Sequence, residues 1–451
     1  MRRITIPGLL TLFALAPLPP VVARADDRPN VLIVVTDDQR RGTMSVMSST
    51  RRWLQGLGTR YPNAVVTTPV CCPSRGSILT GRYAHNHGVE TNSDHEALDH
   101  DTTAQRHLHD AGYLTGIAGK LLNGWKVADD PPHFDRWTVM SGPGYRRTVY
   151  NVNGVRVRPK RYSTDYLRGR AVRMLRGFER RDDDAPWLLY VAPWAPHAPY
   201  EPAVRHRSAR VPPWQHRSAA LAEADLTDKH PVVMERARLQ PRASIRRAQL
   251  RTLLAVDEMV RRLRRELRRL DEHRRTMVIF LSDNGYLWGE HGMGPGKLLP
   301  FEETFRVPMY VRWPGVLPAG GVDPRVAANI DLAPTIYEAA GIQPTVEIDG
   351  RSLLSEQRDR ILLEQWAIPG RYPTWSALWS PDEQYTEWEG DGTYDPFTEV
   401  YDLAADPAQL TNVLGDGDPT NDPTPSRLSA LAADLASARA CAGTSGPLGC
   451  P

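Results

Sequence analysis

The sequence predicts an α/β protein, with a large, mostly parallel sheet sandwiched by helices and a smaller C-terminal α+β subdomain. Three observations lead there. Unbroken apolar runs such as Val31–Val35, Trp187–Ala192 and Met277–Leu281 have the length and composition of strands buried on both faces. Helical patterns alternate with these runs. Polar residues gather directly after them, where open α/β sheets carry their sites.

The elements follow in chain order. Arg2-Arg3, the apolar stretch Ile4–Val22 and the run Ala23-Arg24-Ala25 have the layout of a secretory signal peptide, so residues 1–25 are expected to be a leader. Pro7, Pro17, Pro19 and Pro20 argue against a retained spanning helix, and no later run is long and apolar enough to insert in a membrane. Asn30–Val35 reads as a buried strand opening into Thr36-Asp37-Asp38-Gln39. Residues 71–82 read as a turn entering a helix closed by Gly81. Thr103–Ala111 is a helix, and Tyr113–Ala118 a strand that delivers Gly119-Lys120. Thr148–Val157 is a hairpin about Asn153-Gly154, and Asp165–Phe178 is helical. Trp187–Ala192 ends at Pro193-Trp194-Ala195-Pro196-His197.

Residues 244–270 form a long amphipathic helix with a stripe from Leu250 to Leu270. Its other face carries Arg261, Arg262, Arg264, Arg265, Arg268 and Arg269, which reads as a solvated face, or as a polyanion surface if it meets the cleft. Met277–Leu281 opens into Ser282-Asp283-Asn284-Gly285, Arg306–Trp313 is a strand, and Ile330–Ala340 a helix. After about residue 355 come short strands at Ile361–Trp366 and Ser376–Trp379, an acidic, Gly-rich loop, and a helix over 427–440. The divisions are therefore a leader at 1–25, a main domain at 26–355, a subdomain at 356–440 and a tail at 441–451.

Apolar residues make up 41% of the chain and charged residues 24%, ordinary for a globular protein. The net charge of +3 falls to zero without Arg2, Arg3 and Arg24, so nucleic acid is not indicated as a partner. Lysine occurs only at 120, 126, 160, 229 and 297, and no Asn-x-Ser/Thr occurs. Both features fit a bacterial protein exported from the cytoplasm. Cys441 and Cys450 lie close together in a Gly-rich tail, where an exported protein can close a disulfide loop. Cys71 and Cys72 are adjacent, which strains a mutual bridge.

Asp37-Asp38 and Asp283-Asn284 each follow a strand, and together would offer four hard oxygen donors for Ca²⁺ or Mg²⁺. Taken singly, such pairs also cap helices and start turns. The run Cys71-x-Pro73-Ser74-Arg75, with Leu79-Thr80-Gly81 after it, resembles the signature of the formylglycine-dependent sulfatases, a family of alkaline-phosphatase-like fold. The resemblance implies that a formylglycine-generating enzyme oxidises Cys71 before folding. A hydrated aldehyde carries two hydroxyls on one carbon. One attacks sulfur and expels the alcohol; the other collapses to a carbonyl and expels sulfate.

Other segments match the family's pattern. Asp37, Asp38, Asp283, Asn284 and the modified Cys71 are implied ligands of one Ca²⁺, preferred over Mg²⁺. Arg75 is similar to the arginine that steadies the formylglycine. Gly119-Lys120 resembles the first sulfate-binding lysine, and Ala195-Pro196-His197 the active-site histidine. Gly296-Lys297, ahead of Phe301-Glu302-Glu303 and Arg306-Val307-Pro308, matches the second lysine, and Lys297 or His197 is the implied general acid. Val400-Tyr401-Asp402-Leu403, Asp406-Pro407 and Asn412-Val413 resemble the C-terminal signature, so the likeness covers nearly the whole chain past the leader.

One position departs. Many arylsulfatases have a histidine two residues after the first lysine, where this chain has Leu122. Gly119-Lys120-Leu121-Leu122-Asn123 instead resembles the N-acetylglucosamine-6-sulfatase branch, as do Cys71-Cys72 and His85-Asn86-His87. His85 or His87 either supplies the missing base or packs beside the nucleophile helix. Asn123 and His291, the latter in Gly289-Glu290-His291-Gly292, are further candidates to line a substrate pocket. The implied reaction is sulfate ester hydrolysis on an aryl sulfate or a sulfated carbohydrate such as 6-sulfated N-acetylglucosamine. The alternatives are a phosphodiesterase or phosphonate monoester hydrolase of the same superfamily, and a Ca²⁺-dependent glycan-binding protein without catalysis.

Overall fold

A computed structural model describes residues 27–182, 184–214, 218–237, 242–445 and 449–451; the expected leader lies outside them. The strands are β1 (Asn30–Thr36), β2 (Thr59–Arg60), β3 (Ala64–Val65), β4 (Leu114–Gly119), β5 (Arg136–Ser141), β6 (Val149–Val152), β7 (Val155–Val157) and β8 (Trp187–Ala192), then β9 (Thr276–Ser282), β10 (Tyr310–Arg312), β11 (Gly321–Val322), β12 (Ala327–Ala328), β13 (Ile361–Gln365), β14 (Trp375–Trp379), β15 (Glu383–Trp388) and β16 (Phe397–Asp402). The helices are α1 (Ser48–Leu54), α2 (Cys71–Thr80), α3 (Ala84–His87), α4 (Ala104–Asp110), α5 (Ser163–Arg181), α6 (Pro231–Arg236), α7 (Ala243–Arg269), α8 (Glu302–Phe305), α9 (Leu332–Ala340) and α10 (Pro425–Arg439).

Ten strands form one sheet in the order β11-β2-β10-β9-β1-β8-β4-β5-β6-β7. The central run from β9 to β5 is parallel throughout. Antiparallel partners flank it, β10 on β9 and β6 on β5. The unbroken apolar runs have a simple cause: both faces of the centre are covered. Leu32, Val34, Leu189 and Phe280 point to the side packed by α5 and α7. Val31, Ile33, Leu188 and Ile279 point to the side packed by α2, α4 and α9. Each such side chain contributes about 1.5–3 kcal/mol on burial.

A second, antiparallel sheet, β13-β14-β15-β16, carries α10. It shares a core with the larger body, where Trp375, Trp379 and Ile361 pack with Val65, Phe301 and Phe305. Cys441 and Cys450 are disulfide-bonded in the tail. Among the described residues no helix is long and apolar enough to cross a membrane.

The expected strand at Arg306–Trp313 shortens to Tyr310–Arg312, because Pro308 has no amide hydrogen for a ladder and Arg306 bridges Val65 instead. The start of the expected helix at Ile330 is a 3₁₀ turn over Asn329–Asp331. β5, β15 and β16 arise where polar residues interrupt the apolar pattern. In the last two, buried polar residues find partners outside the sheet: Gln384 Nε2 donates to Pro300 O at 2.7 Å, and Glu399 accepts from the amide of His230 at 3.2 Å. Part of the arginine face of α7 is neutralised within the fold, since Arg262, Arg269 and the α5 residue Arg176 all meet the buried Glu266.

Candidate active site

The carboxyl ends of the parallel strands converge on one place. β1 delivers Asp37 and Asp38, β9 delivers Asp283 and Asn284, β4 delivers Lys120, and the segment after β8 delivers His197. Backbone bonds carry the ladder past the strand ends: Asp283 N to Thr36 O at 3.0 Å, Asp37 N to Ala195 O at 3.2 Å, and Lys120 N to Ala192 O at 2.9 Å. Gly119 makes the last approach possible. Its φ is +137°, and a Cβ there would lie 1.9 Å from Ala192 O.

Cys71 is the first residue of α2, so the positive end of the helix faces its buried side chain. Pro73 fits the first turn, which needs no amide donor there, and Gly81 ends the helix at φ 72°. Cys71 Sγ lies 2.7 Å from Lys297 Nζ and 3.4 Å from Asp37 Oδ1. Lys297 Nζ also donates to Asp38 Oδ1 at 2.5 Å and Asn284 Oδ1 at 3.1 Å. Arg75 is fully buried; its Nε meets Asp283 Oδ2 at 2.8 Å and its Nη1 meets Lys120 O at 3.0 Å. Its Nη2 lies 3.6 Å from Asp37 Oδ2 and has no hydrogen-bond acceptor among the described residues. Lys120 Nζ donates to Asp37 Oδ2 at 2.7 Å and lies 5.0 Å above the Trp194 ring. His197 Nε2 is 3.6 Å from Asp38 Oδ2.

Burial opposes every charge here, and the opposite charges outweigh it in most cases. Burial alone would raise Asp37, yet Lys120, His197 and Arg75 hold its carboxyl far below the ordinary range. Burial would lower His197, but Asp38 and Asp37 lift it to about 10. Lys120 is raised in the same way, against burial, by Asp37. Asp283 is the exception: burial and the nearby Asp37 raise it, despite Arg75.

The donor chemistry suits a hard divalent cation. Ligand atoms of Asp37, Asp38, Cys71 and His197 all lie within 4.8 Å of one another. Asp283 and Asn284 adjoin them: Asp283 Oδ1 accepts the Asp38 amide at 3.1 Å, and Asn284 Nδ2 donates to Asp38 Oδ1 at 2.7 Å. Three carboxylates and one carboxamide in a buried cluster are ligand types that suit Ca²⁺ or Mg²⁺, and the Lys297 ammonium contacts Asp38, Asn284 and Cys71.

Asn123 lies in a depression of about 260 Å³ beside Lys120, with Leu122, Trp125, Met140 and Trp194. Its Oδ1 is buried without a hydrogen-bond partner among the described residues. The structure does not bring the other histidines to this place. His85 spends both ring nitrogens elsewhere, Nδ1 on Glu364 Oε2 at 2.7 Å and Nε2 on Cys441 O at 3.0 Å. His87 is buried behind α2, 3.1 Å from Ser77 Oγ, in space left by Gly76. His291 is fully buried, 2.7 Å from Glu223 and stacked on Phe301. Cys72 faces the core, and burial pushes its thiol up to about 12. Sequence reasoning missed Trp125 and the hydrogen-bonded pair Tyr200 and Tyr286, which stands beside Asp38 and Lys297. Tyr286 follows Asn284-Gly285 directly, and that adjacency was the available signal.

The model of the family named Sulfatase matches residues 29–342. The chain belongs to the sulfatase family. It is 29% identical over 465 residues to the N-acetylglucosamine-6-sulfatase of Homo sapiens, covering 88% of this chain and 83% of the human one. It is 32% identical over 361 residues to the extracellular sulfatase SULF-1 homolog of Drosophila melanogaster. That match covers 75% of this chain but only 32% of the fly protein, and a Caenorhabditis elegans relative is covered over 53% of its length. A solved structure described as a complex with its substrate D-glucosamine-2-N,6-O-disulfate superposes with a TM-score of 0.74 at 24% identity, covering 91% of this chain and 97% of that one. These likenesses give the family member an alkaline-phosphatase-like fold.

Proposed function

We propose that this sulfatase hydrolyses sulfate esters on a sulfated carbohydrate, 6-sulfated N-acetylglucosamine being the favoured unit, outside the cytoplasm. The observation that carries the reading is the setting of Cys71: a buried thiol at a helix N-terminus, with Lys297 and Asp37 in contact and Arg75, Lys120 and His197 around them. Sγ of Cys71 stands in for the oxygen of a formylglycine, and Asp37, Asp38, Asp283 and Asn284 are the residues to hold calcium. Bound together, these two groups would supply a nucleophilic hydroxyl and a positive charge that favours its ionised form.

The chain's own side chains do the rest. Arg75, fixed by Asp283 and the Lys120 carbonyl, keeps its buried Nη2 3.6 Å from Asp37 and steadies the group at position 71. Lys120 and His197 orient the sulfate against Trp194. Lys297 or His197 gives a proton to the departing sugar oxygen. Asn123, with Leu122, Met140 and Trp125, lines the depression beside Lys120 that would receive the sugar. The N-acetylglucosamine part draws on the human relative and on the substrate named for the solved complex.

The deciding measurement is mass spectrometry of the Cys71 peptide from native-host protein, alongside release of inorganic sulfate from N-acetylglucosamine 6-sulfate. An aldehyde at position 71 and sulfate release are expected. Full activity with an intact thiol would sink the mechanism. Faster turnover of an aryl phosphate diester than of an aryl sulfate would favour the phosphohydrolase reading.

A further inference from the structure

The loop leaving β1 after Asp37-Asp38 runs on through Arg40 and Arg41 between two depressions. One, of about 330 Å³, is walled by Arg40, Arg246, Trp214 and Trp288. It shares Arg41 with the second, and its other two arginines are engaged: Arg40 pairs with Glu290 at 2.7 Å, and Arg246 donates to Pro212 O at 3.0 Å. The other, of about 280 Å³, is different. Arg41, Arg51 and Arg60 line it with Tyr61 and Tyr310, and no carboxylate does.

The buried arginines of this chain are paired, as Arg306 with Glu302 and Arg358 with Asp331. The half-buried Arg60 and the exposed Arg41 and Arg51 make no side-chain hydrogen bond or ion pair among the described residues, and Arg60 Nε is buried without an acceptor. The acid that bears on Arg41 is already spent, since Glu302 is gripped at both oxygens by Arg306 Nη1 at 2.9 and 2.8 Å. The three residues line one depression. Burial, then Arg306 and Arg60, push Arg41 down, with Glu302 acting the other way. Arg60 and Arg51 both bear on the Tyr310 hydroxyl, which burial raises.

Like charges gathered without an acid repel one another, and a bound oxyanion relieves that cost. The planar guanidinium fork matches sulfate and carboxylate oxygens in pairs. Location gives the site a purpose. Arg41 lies three residues beyond Asp38, so their Cα atoms are at most about 11 Å apart even with the chain fully extended. One oligosaccharide spans that distance.

We propose that Arg41, Arg51 and Arg60 form a second oxyanion site, which takes a sulfate or carboxylate group of a neighbouring sugar on the chain whose ester stands at Cys71. The glycan as its source rests on the sulfate ester reading above; the anion site does not. Calorimetric binding to Cys71→Ala protein, with and without Arg51→Ala and Arg60→Ala, tests it. The probes are a sulfated glycosaminoglycan hexasaccharide and inorganic sulfate. At least tenfold weaker hexasaccharide binding, with a shallower salt dependence, is expected. A loss confined to the hexasaccharide assigns the ligand to the glycan; a loss for inorganic sulfate as well makes this a general oxyanion site. Unchanged affinity for both probes overturns the proposal. An equal fall in turnover of monosaccharide 6-sulfate by Cys71-containing Arg51→Ala, Arg60→Ala protein overturns it too, because the effect would then lie at the catalytic centre. Arg51 sits on the exposed face of α1, so Arg51→Ala alone keeps the comparison readable if the double variant does not fold. Wild-type protein that released no sulfate would remove the catalytic reading while leaving the binding comparison intact.

Discussion

Arg75 shows how much a single side chain carries in this fold. It is charged, fully buried, and joins α2 to the residue after β9, Asp283, and to the residue after β4 through the Lys120 carbonyl. Lysine keeps the charge but cannot bond in both directions at once. Arg75→Lys should cost about 1.5–3 kcal/mol of stability, the scale of a hydrogen bond to a charged group. It should also cut kcat by about a hundredfold, as loss of one preorganised donor does. Denaturant titration and steady-state kinetics read the two effects. Asp283→Asn addresses the cation. Calcium at a hundred times its Kd should stabilise the parent by about 2.7 kcal/mol. The variant should lose most of the calcium-induced rise in Tm, and an undiminished rise would remove Asp283 from the ligand set. At this scale the sequence was legible where residues come in short strings, as at Cys71-x-Pro73-Ser74-Arg75. It was not legible for His85, His87 and His291. A histidine in a motif looks the same whether it faces a cleft or a carboxylate, and the carboxylates at Glu364 and Glu223 are 279 and 68 residues away from their partners.

The elements explain what the small sheet is for. The loop from Lys297 to Glu302 has little regular structure, and Leu298 takes a φ of 86°. The second sheet braces it. Trp375 Nε1 donates to Leu298 O at 2.8 Å, and Gln384 and Gln409 both donate to Pro300 O, at 2.7 and 3.0 Å. Lys297 therefore owes its position to strands almost eighty residues further along. Trp375→Phe keeps most of the ring packing and removes the donor, which leaves a buried carbonyl without it. A stability loss of about 1–3 kcal/mol is expected. A fall in kcat with little change in KM should accompany it, since the effect passes through Lys297. A change in KM alone would contradict that account. The parallel centre and α2, α5 and α7 were legible because burial on two faces, or on one helical stripe, leaves a periodic trace. β15 and β16 were not, because their buried Gln384, Thr386 and Glu399 interrupt the pattern. Their polar groups are satisfied by distant loops, which no local window can see.

For the whole molecule, the question is what couples the two sheets. The apolar seam through Trp375, Phe301 and Val65 is insensitive to pH. A polar joint lies beside it. Glu364 on β13 accepts the amides of Ala84 and His85 at 2.8 and 3.3 Å and the His85 ring at 2.7 Å, so the small sheet caps α3, just beyond α2. Burial opposes the charge on His85, but the hydrogen bond to Glu364 outweighs it and raises the imidazole above its ordinary value of 6.5. A raised histidine contributes stability that is fully present below the unfolded value and is lost as pH rises through the folded one. Tm should therefore decline as pH rises above about 6.5, with the small sheet and α3 loosening together. Glu364→Gln retains an amide-accepting oxygen but removes the charge that holds the proton. Its Tm should be lower than the parent's at pH 6 and the difference should shrink by pH 8. Melting curves for both proteins across that range decide the matter, and a difference that grows with pH would place the coupling elsewhere.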